Sequence, residues 1–315
     1  MKAKLHAIII AGATASGKTG VALKLSDHFS VEIVNADSRQ FYTPLSIGTA
    51  KPTKEEMAKA PHHLFDVFDK PIELSVVEYR KLVGQKVSDI CSRGKTPVLV
   101  GGSLFYLKSL FFPPTIEEEP MASLSEETKS IPEDQRWNEL NKIDPERAKH
   151  LHKNDSYRVD RALDIWFRHK KKPSECKPKF DPICPSMIIY LDTDRETIRT
   201  RIETRLKTML AEWILEVKPL LNSVWEEFWD KKGIIGYQEV AKFIRQTTGP
   251  TGLEKLIEQI FYKTYDYAKR QKCFWRSFKE QLSKFTGNNL KLCEIKVSDD
   301  LVSKSKSFIA NFLDK

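Results

Sequence analysis

Residues 12–19 read Gly12-Ala13-Thr14-Ala15-Ser16-Gly17-Lys18-Thr19, the spacing G-x-x-x-x-G-K-[ST]. Glycines at both ends let backbone N–H groups curl around a phosphate. The helix N-terminus that follows adds positive potential. Lys18 supplies a mobile cation, and the Thr19 hydroxyl suits Mg²⁺ with waters completing the octahedron. The chemistry implied is binding of a polyphosphate, ATP included. The loop does not name the reaction. A kinase or ATPase brings an aspartate at the end of an apolar strand. The run PVLVGGS (97–103) ends instead in glycines and Ser103, and Asp192 after MIIYL is the other candidate. NTPase, kinase and pyrophosphate chemistry all stay open on the loop alone.

Other residues add chemistry around it. Asp37 follows a predicted strand, at the carboxyl edge where open-sheet sites form; the alternative is a carboxylate capping a turn. Ser103 ends another strand. Arg201 and Arg205 are four apart, hence on one helix face. They can close over a diphosphate or form a solvated arginine face. Phe274 and Trp275 stand among Lys269, Arg270 and Arg276. That interleaving suits single-stranded RNA, held by stacking plus cations, or a helix packing its apolar face inward. His62 and His63 have no metal-ligand partner at suitable spacing and read as structural. The run 168–172 reads as a solvated charge cluster.

The elements that must position these residues alternate between strand and helix. AIIIAG (7–12), VEIVNADS (31–38) and PVLVGGS (97–103) have strand character. Residues 19–29 and 76–94 have helical spacing, Gly94 ending the second. Such alternation predicts right-handed crossovers and a parallel sheet. The stretch PPTIEEEP (113–120) reads as a linker, and 123–172 as polar helices. Residues 145–179 carry eleven Lys/Arg against five Asp/Glu. Strand character returns at MIIYLD (187–192), and the rest is mostly helical. Ile198, Ile202, Leu206, Met209, Leu210, Trp213, Ile214 and Val217 share one broad face. The expectation is an α/β fold: a P-loop parallel-sheet core over 1–114 and 183–315, a helical insert over 115–182, and a helical C-terminal region.

With 315 residues, 40% of them apolar and 30% charged, the chain suits a folded protein and not a low-complexity one. No apolar run approaches membrane-spanning length. The basic, apolar start resembles a signal peptide until Gly12, Gly17 and Lys18 break the pattern. The net charge is +9, common in nucleic-acid binders and in many enzymes. Five cysteines without a CxxC pair suggest a reducing cytosol and no zinc site. A cytoplasmic monomer is expected.

Specific text then accumulates: NADSRQFY (35–42), IGTAKPTKEE (47–56), PHHLFDV (61–67), GGSLFYLKSL (101–110), DPERAKHLHKNDSYRVDRALDIW (144–166), GIIGYQEV (233–240) and YAKRQKCFWR (267–276). With the phosphate loop, this ordered set resembles the bacterial tRNA dimethylallyltransferases from residue 7 to about 276. Departures are Ala13 for proline, Ser103 for threonine, Tyr157-Arg158 for Gln-Arg, and a tryptophan moved by one to Trp275. No zinc-finger-like tail follows, as in the bacterial form. The resemblance implies transfer of a dimethylallyl group from its diphosphate to N6 of adenosine 37 beside the anticodon, with Mg²⁺. It casts Asp37 as the general base, with Ser103 near the reacting base and Arg201, ahead of Arg205, on the diphosphate. It assigns tRNA contacts to Asp37, Ser38, Arg39, Gln40, Tyr157, Arg158, Arg161, Gly236, Tyr237, Lys269, Arg270, Gln271, Phe274, Trp275 and Arg276. The adenine must leave the anticodon stack to react. An enzyme prenylating free AMP or ATP, a P-loop NTPase or kinase, and an RNA-binding module without chemistry are the competing readings. The basic insert favours tRNA over AMP.

Overall fold

The computed structural model describes residues 5–116, 124–246, 250–287, 289–297 and 301–313. In chain order the elements are β1 (Ala7–Gly12), α1 (Lys18–Ser26), β2 (Val31–Asn35), α2 (Lys54–Met57), β3 (His62–His63), α3 (Val76–Ser92), β4 (Thr96–Gly101), α4 (Leu104–Ser109), α5 (Glu126–Ser130), α6 (Arg136–Ile143), α7 (Pro145–Ala148), α8 (Ser156–His169), β5 (Ser186–Asp192), α9 (Arg195–Val217), α10 (Val224–Lys232), α11 (Tyr237–Arg245), α12 (Pro250–Ser283), β6 (Leu290–Lys296) and α13 (Leu301–Leu313).

Six strands form one sheet in the order β3-β2-β4-β1-β5-β6, and every pair is parallel. The α/β expectation therefore holds. β1 runs between β4 and β5, so its side chains are covered on both faces, and all six of its residues are buried. Alternation sorts them. Ala7, Ile9 and Ala11 join the core formed with α3, α4 and α12. Ile8 and Ile10 join the core formed with α1 and α13. A third core, built from α9 to α12, sits beyond the carboxyl end of the strands around Trp213, Trp229 and Tyr237. α9 buries Ile198, Ile202, Leu206, Leu210, Trp213 and Val217, the face that the spacing predicts.

α5 to α8 carry an apolar cluster of their own around Leu140, Val159 and Leu163. Residues 117–120 of the expected linker lie outside the described residues. Two differences from the sequence reading concern strands. β2 stops at Asn35, three residues early, because the Asn35 side chain takes over the hydrogen bonding: its Nδ2 donates to the Asp37 and Leu64 carbonyls, and its Oδ1 accepts from Asp37 N at 2.7 Å. β6 was not expected. LKLCEIK alternates weakly and lies at a sheet edge, so its burial is patchy and its periodicity faint.

Candidate active site

β1 delivers Gly12 to the middle of the sheet's carboxyl edge, and α1 begins at Lys18. Between them Ala15 (φ 60°) and Gly17 (φ 91°) take left-handed backbone, which curls the loop so that successive N–H groups face inward. Lys18 Nζ donates to the Gly12 carbonyl at 3.1 Å and the Ala13 carbonyl at 2.7 Å. Its ammonium is thus held inside the loop, at the place an anion would draw it from. From α9, Arg201 donates to the Ser16 carbonyl at 3.0 Å, and Arg205 to Thr14 Oγ1 at 3.4 Å. Both arginines line the same 300 Å³ cavity as Lys18, Thr19 and Asp37. The Asp192 alternative is corrected: that carboxylate pairs with Lys272 at 3.1 Å and does not line this cavity.

Asp37 sits where β2 gives way to a turn. One carboxylate oxygen accepts from Arg39 N at 3.0 Å; the other makes no hydrogen bond among the described residues. Ser103, buried at the start of α4, accepts from Ser38 N at 2.8 Å and donates to Ser38 Oγ at 3.1 Å. The two turns can meet because residue 101 is glycine: a Cβ there would stand 2.0 Å from the Ala36 carbonyl oxygen. Asp37 also lines a second cavity of 330 Å³, with Arg205 beside it and Leu206, Met209, Trp213 and Ile260 as an apolar wall. A third, of 250 Å³, opens between Ser103, Phe105, Tyr106, Tyr267 and Phe274. Tyr267 lines all three cavities, so they are neighbours around one side chain.

Burial lowers the Lys18 ammonium to about 8, against the opposing pull of the Asp37 carboxylate, with Arg205 lowering it further. Burial also lowers Arg205, again opposed by Asp37. Tyr267 is pushed up by burial and by Asp37. The Lys18 sign fixes a pH dependence. Below about 8 the ammonium is charged and holds an anion; above it the charge is lost. The Kd of an alkyl diphosphate is therefore expected to climb with a limiting slope of about tenfold per pH unit above 8, and to be flat below 8 as far as Lys18 is concerned. Calorimetry from pH 7 to 9.5 measures it. A Kd that stays level across pH 8 contradicts a titrating Lys18.

The expected RNA contacts divide. Tyr157 is 70% exposed. Arg158 is exposed and pairs with Asp155 at 2.9 Å, and Arg276 is also exposed. Lys269 pairs with Asp266 at 2.6 Å. Arg270 lies over Tyr267 and lines two of the cavities. Arg39 donates to the Lys232 carbonyl at 3.2 Å and lines the 330 Å³ cavity. Phe274 is 36% exposed.

Four assignments need correction. Trp275 is 2% exposed, stacked on Tyr190 at 4.1 Å, with its N–H donated to Glu294. It shares the inward face of α12 with Ala268, Gln271 and Phe278, so no base can reach it. Gln271 is spent inside the chain: its Oε1 accepts from Thr14 N at 2.8 Å and its Nε2 donates to the Gly102 carbonyl at 2.8 Å. It ties the phosphate loop to the Ser103 turn. Gln40 lines the phosphate cavity, its amide nitrogen donating to the Thr49 and Ala50 carbonyls. Tyr237 is wholly buried, and Gly236 packs so closely on Trp213 that a Cβ would stand 1.8 Å from its ring.

Several residues of the site carried no assignment. Glu216 accepts from Ser46 N at 2.8 Å, Ile47 N at 2.6 Å and Gly48 N at 3.3 Å, and from the Tyr237 hydroxyl at 2.6 Å. One carboxylate thereby fixes the turn that brings Thr49 and Ala50 to the cavities. Nothing in the sequence marks Glu216, since the backbone amides it holds lie about 170 residues away. Tyr267 and Phe105 did have a signal: each stands in a quoted motif, YAKRQ and GGSLFY.

Comparisons with known proteins converge. A family model described as IPP transferase matches residues 40–278. A tRNA dimethylallyltransferase of Geobacter sulfurreducens is 34% identical over 281 residues, covering 87% of this chain and 89% of that protein. The full-length tRNA isopentenylpyrophosphate transferase of Bacillus halodurans superposes with a TM-score of 0.63 at 28% identity, over 99% of this chain and 97% of that one. A eukaryotic dimethylallyltransferase captured acting on tRNA gives a TM-score of 0.73 at 27% identity, over 97% of this chain and 80% of that one.

Proposed function

We infer the reaction from one premise: this chain belongs to the IPP transferase family, the family of the tRNA dimethylallyltransferases. It transfers a dimethylallyl group to N6 of adenosine 37 in tRNA. Dimethylallyl diphosphate is the donor we propose. One observation supports this chemistry over plain nucleotide hydrolysis. A single carboxylate, Asp37, lines both the phosphate cavity and the apolar cavity beside it.

The donor's diphosphate lies against the N–H groups from Thr14 to Thr19, with Lys18, Arg201 and Arg205 around it. As the allylic C1–O bond breaks, charge builds on the leaving oxygen, and those cations stabilise it. The apolar wall of Leu206, Met209 and Trp213 takes the isoprenoid. The flipped adenine enters beside Ser103 and Tyr267, and its N6 attacks C1. The N6 proton passes to Asp37 as the N–C bond forms, and diphosphate leaves. The Thr19 hydroxyl lines the phosphate cavity and makes no hydrogen bond among the described residues. Such a hard oxygen donor fits Mg²⁺, which when bound adds positive charge at the diphosphate. The exposed cations Arg158, Lys269, Arg270 and Arg276, with Phe274, then hold the anticodon stem-loop. No helix among the described residues is long and apolar enough to cross a membrane. We propose that the active unit is a single copy of the chain acting in the cytoplasm.

The test uses purified protein, Mg²⁺ and labelled dimethylallyl diphosphate, with an anticodon stem-loop and free AMP as rival acceptors. Label is expected in the stem-loop. Label in AMP alone would make this an adenylate-prenylating enzyme. Phosphate release from ATP without prenyl transfer would return the chain to the P-loop NTPases.

A further inference from the structure

We propose that the cleft between the core and the helical insert holds a second unstacked nucleotide of the same RNA strand, a neighbour of the acceptor. The proposal rests on tRNA being the substrate and adds a separate subsite to it.

The cleft encloses about 350 Å³. The core contributes Lys108 and Phe112, and the insert contributes Arg147, Arg161 and Ile165. It is therefore apolar within and cationic at its sides, a combination that suits a base and its phosphate. Its wall toward the active site is Phe105 and Phe274, which also line the cavity beside Ser103. Phe105 is 60% exposed and Phe274 36% exposed. Both rings stand on the boundary between the two spaces.

Among the described residues, two polar groups here lack the partners such groups normally have. Among the described residues Arg147 Nε is buried with no hydrogen-bond partner, and buried guanidinium N–H groups are ordinarily satisfied. Lys108 is half-buried, and burial lowers its ammonium with no carboxylate among the described residues opposing the effect. A phosphate supplies what both lack.

The strand's continuity gives the occupant. An acceptor extruded from its stack leaves its neighbour with one open face, and RNA-binding proteins cover such faces with aromatic rings. A strand leaving the Ser103 cavity crosses the Phe105–Phe274 wall and meets this cleft next.

The experiment is an abasic scan. Each nucleotide flanking the acceptor in an anticodon stem-loop is replaced in turn by an abasic one. Binding is then measured with wild-type protein and with Phe105→Ala. At one flanking position, removing the base is expected to weaken wild-type binding about tenfold, while Phe105→Ala loses nothing more from the same replacement. That non-additivity marks direct contact. Phe105→Trp is expected to restore the tenfold sensitivity, which a merely structural role would not do. Arg147→Ala is expected to weaken binding by a similar factor for every loop sequence and to lower the salt slope by about one. Additive losses at all flanking positions, or no loss at any, overturn the second subsite while prenyl transfer to the intact stem-loop continues. Absence of binding and transfer with the intact stem-loop overturns the tRNA reading itself, and the subsite with it.

Discussion

Asp37→Asn is expected to lower kcat for transfer to a tRNA stem-loop by about 10²- to 10⁴-fold, the range for loss of a positioned general base. The substitution isolates the proton-accepting function. Asp37 Oδ1 accepts from Arg39 N at 3.0 Å, and an asparagine Oδ1 can keep that bond, so the turn survives. The amide cannot take the N6 proton. The KM for the stem-loop should move little, because the contacts holding the loop lie elsewhere. A second signature follows from electrostatics. Asp37 opposes the burial that lowers Lys18. Without its charge Lys18 titrates lower still, so the weakening of diphosphate binding at high pH should begin earlier in Asp37→Asn than in the wild type. Single-turnover rates and a calorimetric pH series read the two effects. Transfer within about tenfold of wild type would remove Asp37 from the base role.

Lys18→Ala is expected to reduce kcat/KM for the allylic diphosphate by about 10²- to 10³-fold, the scale of losing one preorganised charge at a developing anion. Both parameters should suffer, since the cation meets the diphosphate in the ground state and meets more charge as the C–O bond breaks. Lys18→Arg is not expected to rescue. The guanidinium is planar and wide, whereas the present ammonium fits between two loop carbonyls at 3.1 and 2.7 Å. Stability should move the other way. Burial disfavours the charged Lys18 in the folded state, so at pH 7 its removal should leave the melting temperature unchanged or raise it. A variant with normal kcat/KM would mean that Arg201 and Arg205 suffice for the diphosphate. A variant that melts well below wild type would mean that Lys18 holds the loop together rather than the ligand.

The phosphate loop was legible because its chemistry is local. Eight consecutive residues, a strand before and a helix after contain the whole device, and the structure adds only the positive φ values of Ala15 and Gly17. The parallel sheet was legible for a related reason. Strands covered on both faces must be largely apolar, as AIIIAG and MIIYL are. The α9 face was legible because an eight-residue apolar stripe at helical spacing has one way to be buried.

What the sequence left open depends on which side of a helix faces the protein and on partners far along the chain. Phe274 and Trp275 are adjacent and chemically alike, yet one rims two cavities and the other stacks on Tyr190 in the core. About 100° of helical rotation separates them, and only the seat of α12 on the sheet fixes which way that rotation points. Gln271 reads as an RNA contact until the N–H group and carbonyl it satisfies come into view. Glu216 read as nothing at all. Residue types and short spacings determined that this chain binds a polyphosphate on an α/β core. Tertiary packing decided which of its polar side chains stay free to meet a substrate, because a donor or acceptor already paired inside the fold has little left to offer outside it.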